Sequence, residues 1–352
     1  MIIECQKLWK IYGNESAASG GKERSVQERI EQAEKAGAYI ALADINIGVE
    51  RGETLVIMGL SGSGKSTLLR CLTRLIEPTS GEVMYEGRPI TSMARAELLA
   101  LRRQHMSMVF QNFALLPHRT VLGNVELPLE IQKQSAKVRR AAALEMIELV
   151  GLKSKEDHYP HELSGGQQQR VGIARSLCSN PSLWLLDEPF SALDPLIRRE
   201  MQDEVLRLQS SLAKAVVFVT HDFEEAARLG DRIAILRRGR LVQCGTAEEL
   251  VSNPVDDYVR AFTAEVDRGR IFKVERFMER GEPEISDRSM PMNTSLKDVS
   301  RVFADGAQVL AFCNDKQQTV GFLRREKLGE ALAAAEFRGQ THQTSFLEPG
   351  GT

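Results

Sequence analysis

An α/β core built on a parallel sheet, followed by a smaller α+β domain, is the fold class this sequence predicts. Three observations point there. Between residues 53 and 239 the short apolar runs ETLVIMGL, SLWLLDE, AVVFVTH and DRIAILRRG alternate with helical patterns, as strands that pair in parallel across helices do. Those runs are continuously apolar, as befits strands covered on both faces. After about Arg270 the stretch RFMERGEPEISDRSMPMN brings two prolines and many charges, the composition of a connecting segment.

Size and composition bound the rest. At 352 residues the chain exceeds the length at which one core usually stops growing. Apolar residues make up 42% and charged residues 27%, ordinary for a folded globular protein. A net charge of -2 offers no broad basic surface for nucleic acid, so no nucleic-acid partner is expected. The five cysteines, Cys5, Cys71, Cys178, Cys244 and Cys313, are widely spaced without a CxxC pair and read as reduced thiols. MIIECQKLWKIYG lacks the basic start and apolar run of a leader. No window approaches the ~18 apolar residues of a membrane span, so membrane association is expected through a partner.

In chain order, residues 1–13 read as a short strand and turn, and 16–35 as a polar stretch with SVQERIEQAEKAG at helical spacing. ALADINIGVERGE is a strand and turn, and ETLVIMGL a buried strand running into a glycine-rich loop and a helix over 65–75. Helical patterns, among them AKVRRAAALEMIELVGL, dominate about 112–168 and predict a helical lobe inserted into the sheet domain. The strands ending in LLDE, VTH and ILRRG follow, with helices over 197–209 and through Ala227 between them. Domain bounds of 1–268, a linker at 269–290, a small module at 291–340 and a disordered tail at 341–352 are expected. Within the module, SLKDVSRVFADG, VLAFCN, QTVGFL and RREKLGEALAAA read as helix, strand, strand and helix.

Gly59-Leu60-Ser61-Gly62-Ser63-Gly64-Lys65-Ser66-Thr67 fits G-x-x-x-x-G-K-[ST] between a buried strand and a helix. Backbone N–H groups in such a loop turn inward and, with the helix N-terminus, make an anion site. Gly62 and Gly64 let the backbone approach phosphate. Lys65 sets its ammonium against the β and γ oxygens, Ser66 offers a hydroxyl to Mg2+, and Thr67 lies toward the α-phosphate. A dinucleotide fingerprint is excluded, because its third glycine would fall on Thr67.

SLWLLDEP ends a strand in two carboxylates, on the rim where α/β sheets bind ligands. Asp187 is expected to hold Mg2+ through water, and Glu188 to polarise the water that attacks phosphorus. His221 ends the next strand and reaches the same rim. Gln111, in MVFQNF, closes another apolar segment at the entrance to the helical lobe, where an amide could sense the γ-phosphate. Leu163-Ser164-Gly165-Gly166-Gln167 opens a helix with exposed N–H groups and a hydroxyl, a second anion site. Two phosphate-binding surfaces in one chain imply a dimer in which nucleotide is shared.

Taken together, GLSGSGKST, the glutamine of FQN, LSGGQQQR, LLDEP, SALD and the histidine of THD stand in the order found in ABC-type ATPase subunits, which residues 1–250 resemble. The resemblance implies a P-loop NTPase core with an ABC-type helical subdomain and an antiparallel β subdomain. It implies that Tyr12 stacks on adenine, that Ser66 and Gln111 contact Mg2+, that Glu188 is the general base and that His221 contacts the γ-phosphate. Ser164, Gly165, Gly166 and Gln167 would act in trans on the ATP of a second copy, with Ser191 to Asp194 linking the two sites.

MGLSGSGKSTLLRCLTRLIEPTSG, FSALDPLIRREMQDEVLRLQ, NPVDDYVRAF and the extra polar segment after Tyr12 resemble the subgroup that energises import of glycine betaine, proline betaine or choline. Such a subunit hydrolyses ATP at the cytoplasmic face of the membrane as a homodimer. Its partners are permease subunits, for which Leu115, Leu116 and Pro117 are either contacts or core of the helical lobe, and indirectly a solute-binding protein. The small module resembles a single CBS repeat where the subgroup commonly has two, a regulatory or dimerising element. Another small solute, or a soluble ABC ATPase, is the alternative. The latter would need a long coiled-coil insertion or a second ATPase domain, and a sugar importer would end in a β-rich domain.

Overall fold

The chain begins with strand β1 (Ile3–Tyr12), helix α1 (Val26–Lys35) and strand β2 (Tyr39–Val49). The computed structural model describes residues 1–13, 25–110, 114–191, 193–314 and 316–337. The expected tail at 341–352 and the first part of the polar stretch lie outside them. β1 and β2 pair antiparallel, and with β4 (Ser80–Tyr85) and β5 (Arg88–Pro89) they form a four-stranded antiparallel sheet in the order β2-β1-β4-β5. α1 starts at a capping box, Ser25 accepting from the Glu28 amide while the Glu28 carboxylate accepts from Ser25, so its boundary is set by local chemistry.

β3 (Thr54–Met58) leads through the glycine loop into α2 (Lys65–Leu72), and α3 (Arg95–His105) leads directly into β6 (Met106–Val109). The helical lobe follows as α4 (Val121–Val125), α5 (Leu127–Ile131), α6 (Ala136–Leu149) and α7 (Gly165–Cys178). Next come β7 (Leu183–Asp187), α8 (Pro195–Leu212), β8 (Ala215–Thr220), α9 (Phe223–Leu229), β9 (Arg232–Arg237) and β10 (Arg240–Gly245). The second sheet has the order β10-β9-β3-β8-β7-β6, with β9, β3, β8, β7 and β6 parallel. Every residue of β3, β7 and β8 is buried, which is why their sequences carry no polar alternation.

The register puts Met58 opposite Thr220 and Asp187 opposite Val219. The loops that follow β3, β7 and β8 therefore leave the sheet at one height, on the same rim.

The chain divides into two compact units, residues 1–244 and 245–352. The second holds α10 (Ala247–Ser252), α11 (Asp257–Thr263) and α12 (Arg268–Ile271), then β11 (Glu279–Arg280), β12 (Arg288–Pro291), α13 (Leu296–Ala304), β13 (Val309–Cys313), β14 (Thr319–Arg324) and α14 (Arg325–Phe337). Its sheet has the order β11-β14-β13-β12, with β12 parallel to β13 across α13. Residues 269–290, read from sequence as linker, supply part of α12, β11 and the start of β12. Ile271, Phe272 and Val274 are buried there, and three apolar residues scattered among charges leave no periodic signal.

Candidate functional site

The glycine loop owes its shape to positions where a side chain would collide. Gly59 has φ +151, and a Cβ there would lie 2.3 Å from the Leu236 carbonyl oxygen; Gly64 has φ +105, with the Ala41 carbonyl oxygen 2.5 Å from where its Cβ would be. Gly62, at φ +76, has nothing within 4 Å of that position, so the loop is open where a phosphate must enter. β2 and the β9–β10 turn hold it from the other side: the Ala43 amide donates to Gly239 O at 2.8 Å and the Gly239 amide to Ser63 O at 3.0 Å. α2 has no acidic residue in its first turn, leaving its positive end to an anion.

Lys65 is buried, and its Nζ donates to Gly59 O at 2.9 Å and Leu60 O at 3.2 Å. It also stands 3.6 Å from Glu188 Oε1, while His221 Nδ1 lies 3.3 Å from Glu188 Oε2. Glu188 thus sits between the loop lysine and the rim histidine. Its φ of +44 is a left-handed conformation that costs a non-glycine residue energy.

Ser66 Oγ donates to Asp187 Oδ1 at 2.8 Å, and Arg70 Nη2 lies 3.7 Å from Asp187 Oδ2. Burial pushes the Asp187 carboxyl above its usual range despite the Ser66 hydrogen bond and the Arg70 charge, so a cation here would relieve a desolvated carboxylate. A hydroxyl and a carboxylate are hard oxygen donors suited to Mg2+, which keeps most of its waters. Ser61, Ser63 and Thr67 lie on the same loop and first helical turn. Tyr12 ends β1, half-exposed. Gln111 lies outside the described residues.

Ser164 caps α7: its Oγ accepts from the Gln167 amide at 3.3 Å, and its own amide donates to Gln167 Oε1 at 3.0 Å. Gln167 is therefore engaged in the cap of its own helix. A Cβ on Gly166 would lie 2.6 Å from Ile197 Cγ2, and one on Gly165 3.8 Å from Leu193 Cδ2. Asp194 accepts from the Leu196 and Ile197 amides at 3.1 Å. The turn is thus packed on the segment after β7, and that segment on its own cap.

Sequence reading missed Arg70 and the strap formed by Ala41, Ala43 and Gly239. Arg70 stands one helical turn after Ser66, a usable signal; the strap has none, since it depends on long-range pairing. Burial pushes the Cys5, Cys71 and Cys178 thiols up to about 12, which removes them from thiolate chemistry.

Residues 42–191 match the family model described as ABC transporter. The chain is 49% identical over 338 residues to the trimethylamine N-oxide transport system ATP-binding protein TmoW of Ruegeria pomeroyi, covering 95% of this chain and 98% of the relative. It is 46% identical over 278 residues to the glycine betaine/proline betaine transport system ATP-binding protein ProV of Escherichia coli, covering 79% and 70%. Among solved structures, a dimeric ATP-binding cassette in a post-hydrolysis state bound to ADP and Pi is 35% identical at TM-score 0.58, covering 70% of this chain and 98% of that one.

Proposed function

Since this chain belongs to the ABC transporter ATP-binding subunits, we propose that it drives uptake of a small, fully methylated amine, trimethylamine N-oxide or a betaine, through a permease. The observation that carries this reading is identity sustained over the whole length. The N-oxide relative is 49% identical over 338 residues, whereas the choline relative that aligns over 328 residues is 34% identical and the glycine betaine/proline betaine relative is 46% identical over 278. That favours the N-oxide, with glycine betaine and choline as the second reading.

ATP hydrolysis is the work of the rim. Lys65 and the loop amides hold phosphate oxygens, Glu188 takes a proton from the attacking water, and His221, 3.3 Å from Glu188, contacts the γ-phosphate and positions that water. Ser66 and Asp187, with Gln111, would hold Mg2+, which supplies charge neutralisation at the phosphates. We read Ser164 to Gln167 as the face that closes on the nucleotide of a second copy, and the dimeric relative supports that reading. Among the described residues no helix is long and apolar enough to cross a membrane, consistent with peripheral attachment at the cytoplasmic face through a permease, which a solute-binding protein would serve from outside. The order β12-α13-β13-β14-α14 supports a single CBS-like repeat that regulates or props the dimer.

Gly166→Ala forces its new methyl against Ile197 and displaces the turn. Turnover should fall about 10²-fold, the size expected for a misplacement near 1 Å, with ATP still bound by each protomer; phosphate release and ATP titration measure the two. For the substrate, the ATPase rate of the complex with its permease and solute-binding protein should rise several-fold with trimethylamine N-oxide, less with glycine betaine or choline. Stimulation by an amino acid or a sugar alone would overturn the substrate class.

A further inference from the structure

We propose that Tyr39 is a second aromatic contact for the purine of ATP, placed beside Tyr12 by the pairing of β1 with β2. This rests on reading Tyr12 as the adenine-stacking residue. Tyr12 and Tyr39 face one another at the end of the β1–β2 ladder. Their ring centroids are 6.4 Å apart with planes 22° from parallel. The rings are 40% and 59% exposed, and two half-bare tyrosines form an aromatic surface large enough for a heterocycle. Lys10 Nζ lies 4.9 Å from the Tyr12 centroid, so the Tyr12 ring already holds a cation, whereas Tyr39 is the more exposed of the two rings.

The same strand ties this surface to the phosphate loop. Ala41, two residues along β2 from Tyr39, has its carbonyl oxygen against Gly64, 2.5 Å from where a Cβ would be. Gly64 is the residue before Lys65 and caps α2. Successive residues on one side of a strand are about 6.6 Å apart, so Tyr39 stands one such step along β2 from the residue that touches the loop. A base joined through a ribose to phosphates on that loop lies within reach of both rings. At 6.4 Å the two rings are too close to hold a base between them, so a base would lie across their exposed edges and faces.

A cross-strand tyrosine pair can also serve only to fasten strand ends, and the test separates the two. Affinities of the full chain for ADP and for inorganic pyrophosphate, which has no base, are measured by calorimetry for the wild type, Tyr39→Ala, Tyr39→Phe and Tyr12→Ala. Tyr39→Ala should weaken ADP about fivefold or more, the scale of one base–aromatic stack, leaving pyrophosphate unchanged, and Tyr39→Phe should retain ADP affinity. Unchanged ADP binding by Tyr39→Ala, or equal loss of ADP and pyrophosphate, overturns the proposal. If Tyr12→Ala weakens ADP and Tyr39→Ala does not, only the second contact fails. If neither does, the adenine reading of Tyr12 falls with it.

Discussion

Replacing Glu188 with glutamine should leave ATP binding intact and cut turnover by about 10²- to 10⁴-fold, the usual contribution of a general base. Glutamine keeps the shape of the side chain but cannot take the proton. The neighbours of Glu188, Lys65 Nζ at 3.6 Å and His221 Nδ1 at 3.3 Å, carry no alternative carboxylate, and Asp187 is occupied by Ser66 and Arg70. Phosphate release under saturating ATP measures the effect. Unchanged hydrolysis would remove Glu188 from the role.

Lys65→Ala should be as severe by a different route. The ammonium is buried and held over the loop by the Gly59 and Leu60 carbonyls, so it is positioned before phosphate arrives. A hydrogen bond from a charged donor contributes roughly 1.5–3 kcal/mol, and its loss should weaken ATP about 10- to 100-fold. Hydrolysis should fall further, because the charge that balances the phosphates during reaction is gone. Nucleotide titration beside thermal unfolding distinguishes this from misfolding; wild-type turnover by the variant would remove the loop as the nucleotide site.

Glu188 is legible because its strand is, and Lys65 because its loop carries a motif. β3, β7 and β8 are buried on both faces, so each reads as an unbroken apolar run, and the residue where the run stops is the residue on the rim. That pattern places Asp187, Glu188 and His221 at the rim. Lys65 and Ser66 were found from the motif, and Ser164 to Gln167 from a turn that opens a helix.

What stayed hidden depends on pairing between distant segments. The Arg70–Asp187 contact joins residues 117 apart, and the approach of Ala41 to Gly64 depends on how β2 crosses the loop. Tyr39 is illegible in the sequence for the same reason. An exposed tyrosine at a strand start says nothing until the irregular register of β1, shifted between Leu8 and Lys10 and again before Ile11, sets it opposite Tyr12. The strands β4 and β5 were unreadable because SGEVMY is short and mixed, and Ile271, Phe272 and Val274 because their neighbours are charged.

Sharing of nucleotide between two copies is tested most directly by mixing two inactive chains, Lys65→Ala and Gly166→Ala. In a heterodimer the intact loop of one faces the intact Ser164 turn of the other, so one complete site re-forms. The expected result is turnover in the mixture where each variant alone has almost none. A mixture shown to contain heterodimers but still inactive would contradict a site built from two copies.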